Sequence, residues 1–123
     1  MVNERAEEQE QERSNEQRLD DLLQFSTDIT AWAQTTPLNA QDAKMTKDAT
    51  IYVLGIIGVA AEGMTAEFRA AHPSIPWKDV IAMEEFVGKP DRLLNQTAVE
   101  KALHETVPVL LRELTNLRKK GGA

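Results

Sequence analysis

The sequence predicts an all-α fold, an antiparallel bundle of four main helices with short extra helical turns. Apolar residues recur at helical spacing in separate stretches, and nothing in the chain alternates with period two. Pro, Gly, Asn and Ser/Thr residues mark the breaks between those stretches. A length of 123 residues with 41% hydrophobic content fits one core of ordinary size, and so one domain.

Residues 1–17 hold six Glu against two Arg, giving −4 of the chain's net −6 and leaving −2 for the rest. Only Val2 and Ala6 interrupt the polar composition, so this acidic extension cannot bury enough surface to fold alone. Its residues are good helix formers, and two states are open to it: disorder or a solvated extension of the first helix. The bundle domain is expected over 18–120. Leu22, Phe25, Ile29 and Trp32, flanked by Leu19 and Leu23, make the stripe of the first helix. Pro37 and Asn39 predict a turn, "NAQDA" a short helical turn, and Thr46 or Asp48 a cap for the second helix.

That second helix takes in "DATIYVLGIIGVAAEG". "IYVLGIIGV" is also rich enough in β-branched residues for a buried strand, but a lone strand leaves its backbone unpaired. A central helix, apolar on nearly all sides, is the better reading. Gly55 and Gly58 each cost such a helix about 1 kcal/mol relative to Ala, so a close-packed neighbour is expected there. Gly63 ends it, Thr65 caps the short turn "AEFRAA", Pro73 stops that turn, and Pro76 suits the first position of a third helix, "PWKDVIAMEEFV". Trp77, Val80 or Ile81, and Val87 are expected to face the core, and Gly88 and Pro90 to end the helix. The last helix carries Val99, Leu103, Val107, Leu110, Leu114 and Leu117, with Arg118, Lys119 and Lys120 complementing its dipole. Pro108 interrupts it and deprives the His104 carbonyl of its helical donor, so a kink is expected.

Composition narrows the function. With no cysteine there is no disulfide, thiolate metal site or cysteine nucleophile, which fits a reducing, cytoplasmic setting. The N-terminus has no signal-peptide layout, and the longest apolar run, Ile51 to Ala61, is too short for a membrane span. An acidic balance without a Lys/Arg stripe argues against broad binding to nucleic acid. His72 and His104 are the only histidines, and neither has a His, Asp or Glu companion at a spacing that makes a ligand pair by itself, so no metal and no cofactor are expected. The pairs Asp20-Asp21 and Glu84-Glu85 point apart on a helix and read as solvated faces. "GIIGVAAEG" lacks both phosphate-loop arrangements and follows no strand.

Residues Gly58 to Met83, "GVAAEGMTAEFRAAHPSIPWKDVIAM", resemble the HepT-like family, the helical toxin half of a bacterial toxin and antitoxin pair within the HEPN superfamily. The resemblance rests on Gly58 followed by Ala-Ala, the capped "EFR" turn, and His72, Pro73, Pro76 and Trp77 leading to Met83. "TKDATIYVLGIIG" and "VPVLLREL", with Pro108 in its usual place, extend it over about residues 18–118; Val59 departs from the family's common acidic residue.

The resemblance implies a four-helix bundle, a homodimer, an RNA-cleaving site between protomers and a nucleotidyltransferase antitoxin as partner. It also implies a motif after "I-x-M": an Arg beside a polar residue, a His four to six residues on, and often a Tyr, the Tyr being a point at which the antitoxin can attach nucleotides. His can carry the proton of a ribose hydroxyl or leaving oxygen, and Arg can steady the phosphate. Here that place reads "MEEFVGKPDRLLN". Glu84 stands where the Arg is expected, no His occurs from Glu84 to Leu103, and no Tyr follows. A carboxylate repels phosphate, and the cations nearby, Lys89 and Arg92, are not general bases at neutral pH. Glu84, Glu85, Lys89 and Arg92 therefore mark a degenerate motif region with no assigned catalytic residue. The expected protein is a non-catalytic, dimeric interaction module. The competing expectation is a metal-independent RNA-cleaving toxin with a site rearranged around Lys89, Arg92 and His104, and a third is a small-ligand or nucleotide pocket in the dimer cleft using Lys89 and Arg92.

Overall fold

A computed structural model of the chain describes residues 14–33, 40–89 and 93–120, and these contain no strand. Helix α1 spans Asn15–Ala33, α2 Ala40–Glu62, α3 Ala66–Ala71 and α4 Trp77–Ala82. Helix α4 tightens into a 3-10 turn, Met83–Phe86. Helix α5, Gln96–Lys101, passes through a π turn, Ala102–Thr106, into α6, Val107–Lys119. Four long segments with one short helix make the predicted all-α bundle. None of the described helices is long and apolar enough to cross a membrane.

Contacts between helix ends show the antiparallel arrangement. The start of α1 meets the end of α2: Asn15 Nδ2 donates to Thr65 Oγ1 at 3.1 Å, and the Thr65 amide donates back to Asn15 Oδ1 at 3.1 Å. The same end of α1 meets the end of α6, where Arg118 pairs with Asp20 and lies 4.0 Å from Glu16. The basic last turn expected for α6 thus also holds the N-terminal turns of α1. Helix α1 itself starts on a capping box: Ser14 Oγ accepts from the Gln17 amide and Gln17 Oε1 accepts from the Ser14 amide, both at 3.0 Å. Residues 15–17 are therefore helical. Residues 1–13, Pro37, Asn39, Pro90 and Arg92 lie outside the described residues.

The core is built from Leu19, Leu22 and Ile29 of α1, Ile51, Leu54 and Ile57 of α2, Val80 and Met83, and Val107, Leu110 and Leu114 of α6. Each such side chain fully buried contributes roughly 1.5–3 kcal/mol. Several expected facings shift. In α1 the buried series is Leu19, Leu22, Ser26, Ile29, whereas Phe25 is half-buried and Trp32 is 38% exposed. Steps of 100° carry positions 25 and 32 about 60° and 80° to one side of Leu22, while Ser26 stays within about 40°. Helix α2 begins at Ala40, so Thr46 and Asp48 lie inside it rather than at its start. The helix-forming run of Ala, Gln, Lys and Met simply extends it. Nor is α2 buried on nearly all sides, since Tyr52 is 58% and Val59 43% exposed.

The two glycines of α2 do have the close neighbour they predicted. A methyl on Gly58 would sit 2.9 Å from both Glu84 Cα and the Met83 carbonyl carbon, and one on Gly55 would sit 2.9 Å from the Val87 amide nitrogen. Helix α2 therefore lies directly against the backbone of the 3-10 turn. Residue 55 meets 87 and residue 58 meets 84, again antiparallel.

In the last segment the expected 4-4-3-4-3 stripe is offset at the π turn. Ala102 and Thr106 are buried while Leu103 is half-buried. The Val107 amide donates to the Ala102 carbonyl, five residues back. The expected disturbance at Pro108 thus takes the form of a widened turn just before the proline.

Gly58→Ala should cost about 1–3 kcal/mol, because the methyl meets backbone that cannot swing aside. Gly63→Ala should be near neutral, because the methyl meets only the Arg18 guanidinium, the far end of a flexible side chain. Urea denaturation of the two variants beside the unaltered chain measures the difference.

Candidate functional site

The segment after Met83 is shaped by its seat on α2. Met83 and Phe86 are buried, and the Val87 amide closes the turn on the Glu84 carbonyl at 3.1 Å. Gly88, at φ +84°, then turns the chain in a conformation that side chains disfavour. Val87, expected in the core, rests on Gly55 and is 36% exposed, because the 3-10 turn brings Phe86 inward instead. Glu84 is half-buried and Glu85 exposed. Glu85 Oε2 lies 3.7 Å from Lys89 Nζ, with both side chains about half exposed, so the pair is solvent-screened and weak.

The His-Pro-x-Ile-Pro-Trp stretch builds the corner leading to that turn. Thr65 Oγ1 caps α3 by accepting from the Phe68 amide at 3.1 Å. The His72 ring lies on Phe68, with centroids 4.5 Å apart, and Trp77 meets the same phenyl edge-on at 6.2 Å. Trp77 Nε1 donates to the His72 carbonyl at 2.9 Å, fixing the two ends of the corner to each other. Pro73 follows α3, and Pro76 stands as the N-cap of α4, one place before the expected first position. Its φ of −79° and ψ of 69°, with the Trp77 amide donating to the Ile75 carbonyl at 2.8 Å, form an inverse γ-turn. His72 is thus held in a structural corner.

His104 stands on the π turn, and its Nε2 lies 3.1 Å from Glu100 Oε2, with both side chains more than half exposed. The sequence reading gave His104 no acidic companion. Helical spacing of four residues does supply one in Glu100. His104 and Glu100 line one shallow groove, whereas Lys89 lines another beside Asp48, Tyr52 and Leu94, so the two members of the rearranged site that are described stand in separate grooves. A third groove, of about 160 Å³, lies between the 3-10 turn and the α5–π segment, with Glu85 on one wall and Lys101 on the other. Among the described residues no group of three His, Cys, Asp or Glu side chains is placed to hold a metal ion.

Two relatives carry the comparison. The chain is 30% identical over 76 residues to a protein of Thermococcus cleftensis named "Probable ribonuclease HepT", covering 62% of this chain and 69% of that protein. The chain belongs to the HepT-like family. It is also 26% identical over 95 residues to "Putative RNase MJ1380" of Methanocaldococcus jannaschii, covering 76% of this chain and 87% of that protein. No family model and no solved structure matches it.

Within this HepT-like chain, the residues that carry the resemblance and the segment after Met83 are one structural unit. Gly58 supports Glu84, and the His72–Trp77 corner sets the approach of α4 to Met83. Sequence reasoning noted Val59 only as a departure from the family's acidic residue and overlooked Tyr52; the two are seven residues apart and so on one exposed face of α2. It also overlooked Asp79 and Lys101, which share the 160 Å³ groove with Glu85. The spacing of Tyr52 and Val59 was a usable signal, while the groove needs two elements to be placed in space.

Trp77→Phe keeps an aromatic side chain but removes the bond to the His72 carbonyl and part of the indole's packing, so it should lower unfolding stability by about 1–3 kcal/mol. Guanidinium denaturation followed by far-UV circular dichroism checks this, with the helical signal of the native state unchanged.

Proposed function

We propose that this HepT-like chain is a non-catalytic protein-interaction module that works as a homodimer, with itself or a nucleotidyltransferase-type antitoxin as its natural partner in the cytoplasm. The observation that carries the reading is the position of Glu84. Its backbone rests on Gly58, which holds the root of its side chain beside the place where the family resemblance implies a phosphate-holding cation. The two histidines of the chain stand elsewhere, His72 in the corner and His104 on the π turn. The dimer is supported by the exposed apolar side chains Tyr52 and Val59 on α2, with Val87 beside them on Gly55. A two-fold contact would cover this same patch on both copies.

A second reading, an RNA-cleaving toxin neutralised by such an antitoxin, is favoured by the ribonuclease names of the two relatives and by the His104–Glu100 pair. An imidazole held by a carboxylate can move a proton, and Lys101 shares its groove.

Incubation of a structured RNA with the purified chain separates the two readings. The RNA should remain intact on a denaturing gel; cleavage that disappears in His104→Ala would establish the second reading instead. Light scattering after size exclusion should give twice the 13.7 kDa chain mass. Tyr52→Glu combined with Val59→Glu should shift the protein to monomer without loss of helical signal, because each introduced charge would be buried against its symmetry mate.

A further inference from the structure

The groove between the 3-10 turn and the α5–π segment has a composition that its surroundings do not require. Its floor is Met83, Phe86, Ala102 and Thr106, all buried. Its walls carry Ala82 and Ala98, whose short side chains leave the gap unfilled. Asp79 and Glu85 stand at the rim on the α4 side, and Lys101 stands opposite. Among the described residues Lys101 makes no ion pair with either carboxylate, so the groove is not closed by its own charges. Among the described residues Glu85 is engaged only by the solvent-screened Lys89, at 3.7 Å.

We propose that this groove receives an arginine side chain presented by a partner protein. An arginine stem is apolar and would lie on the alanine walls and Met83, while its guanidinium reaches the rim. A planar guanidinium with five donors can engage two carboxylates at once and is shed of water more easily than an ammonium. Asp79 and Glu85 are the acceptors, and Lys101 is the repulsive element that limits occupancy to a well-placed cation. The inference rests on the non-catalytic reading in one respect: the segment that would hold phosphate in a ribonuclease is here a wall of a cation-binding groove.

The probe is the capped tripeptide acetyl-Ala-Arg-Ala-amide, titrated into the nitrogen-15-labelled full chain and followed by amide chemical shifts. Saturable shifts are expected at Ala82, Ala98, Lys101 and Ala102. Asp79→Asn combined with Glu85→Gln should weaken binding at least fivefold, Ala98→Leu should abolish the shifts by filling the groove, and Lys101→Glu should tighten binding two- to fivefold. Retained amide dispersion in each variant shows that the fold persists. Shifts scattered over the acidic surface, equal binding by the norleucine peptide, or indifference to the Asp79/Glu85 pair would overturn the proposal. Shifts at these amides with a short RNA and none with the peptide would overturn it too. Cleavage of RNA by the chain tells against the non-catalytic reading alone, whereas intact RNA with no peptide shift tells against the groove alone.

Discussion

Helix α2 and the segment after Met83 touch backbone to backbone, and the positions of the other elements follow from that contact. Gly55 and Gly58 provide no side chain between the two, so the turn at residues 83–87 sits where a Cβ would otherwise be. Two glycines lower the intrinsic stability of α2 by about 2 kcal/mol. Burial of Met83 and Phe86 on the other side of the turn offsets this, at roughly 1.5–3 kcal/mol for each fully buried side chain. The contact also explains why α4 gives way to a 3-10 turn, whose tighter radius keeps the backbone close to α2 while Phe86 swings inward.

Around this contact the frame is held at its ends. The reciprocal Asn15–Thr65 hydrogen bonds join α1 to the cap of α3, and Arg118 ties the last turn of α6 to Asp20 near the start of α1. The corner from Phe68 to Trp77 lies between them and depends on one side-chain bond to a backbone carbonyl. Such constraints leave α4 little freedom, and the position of Glu84 is inherited from them. Pro108 acts at a distance in the same sense. By withholding an amide it favours the π turn, which places Ala102 and Thr106 inward and sets the α5 wall of the groove.

How much of this was legible from the residues depended on the range of the cause. Local signals read well: Gly63 ends α2, Thr65 caps α3, Pro73 follows its end, and Gly55 and Gly58 announce a close neighbour. The capping box at Ser14 was equally local and was overlooked because the acidic composition around it dominated. Facing was less secure. Trp32 and Val87 were assigned inward by spacing, but angular drift in α1 and the 3-10 turn after α4 placed Ser26 and Phe86 there instead. The segment after Met83 was singled out by resemblance alone, and its relation to His104 and Lys101 was beyond sequence pattern, because it depends on how the 3-10 turn meets the π turn.

On the reading proposed above, the charge at Glu84 limits what the segment after Met83 can hold. A carboxylate about 4 Å from a phosphate opposes it by roughly 1 kcal/mol in bulk water and about 4 kcal/mol at an effective dielectric near 20. Glu84 is half-buried, which lies between those limits, and the turn's seat on Gly58 prevents relief by a backbone shift. If, as the resemblance implies, a cation stands at this place in the family, its replacement by this carboxylate counts twice, once for the attraction lost and once for the repulsion gained. Among the described residues no ion pair cancels it. Lys89 is drawn to Glu85, and Lys101 stands across the groove on another element. On the reading proposed above, anions are disfavoured at Glu84, while the neighbouring groove, whose carboxylates are Asp79 and Glu85 over an apolar floor, would suit a cation with an aliphatic stem.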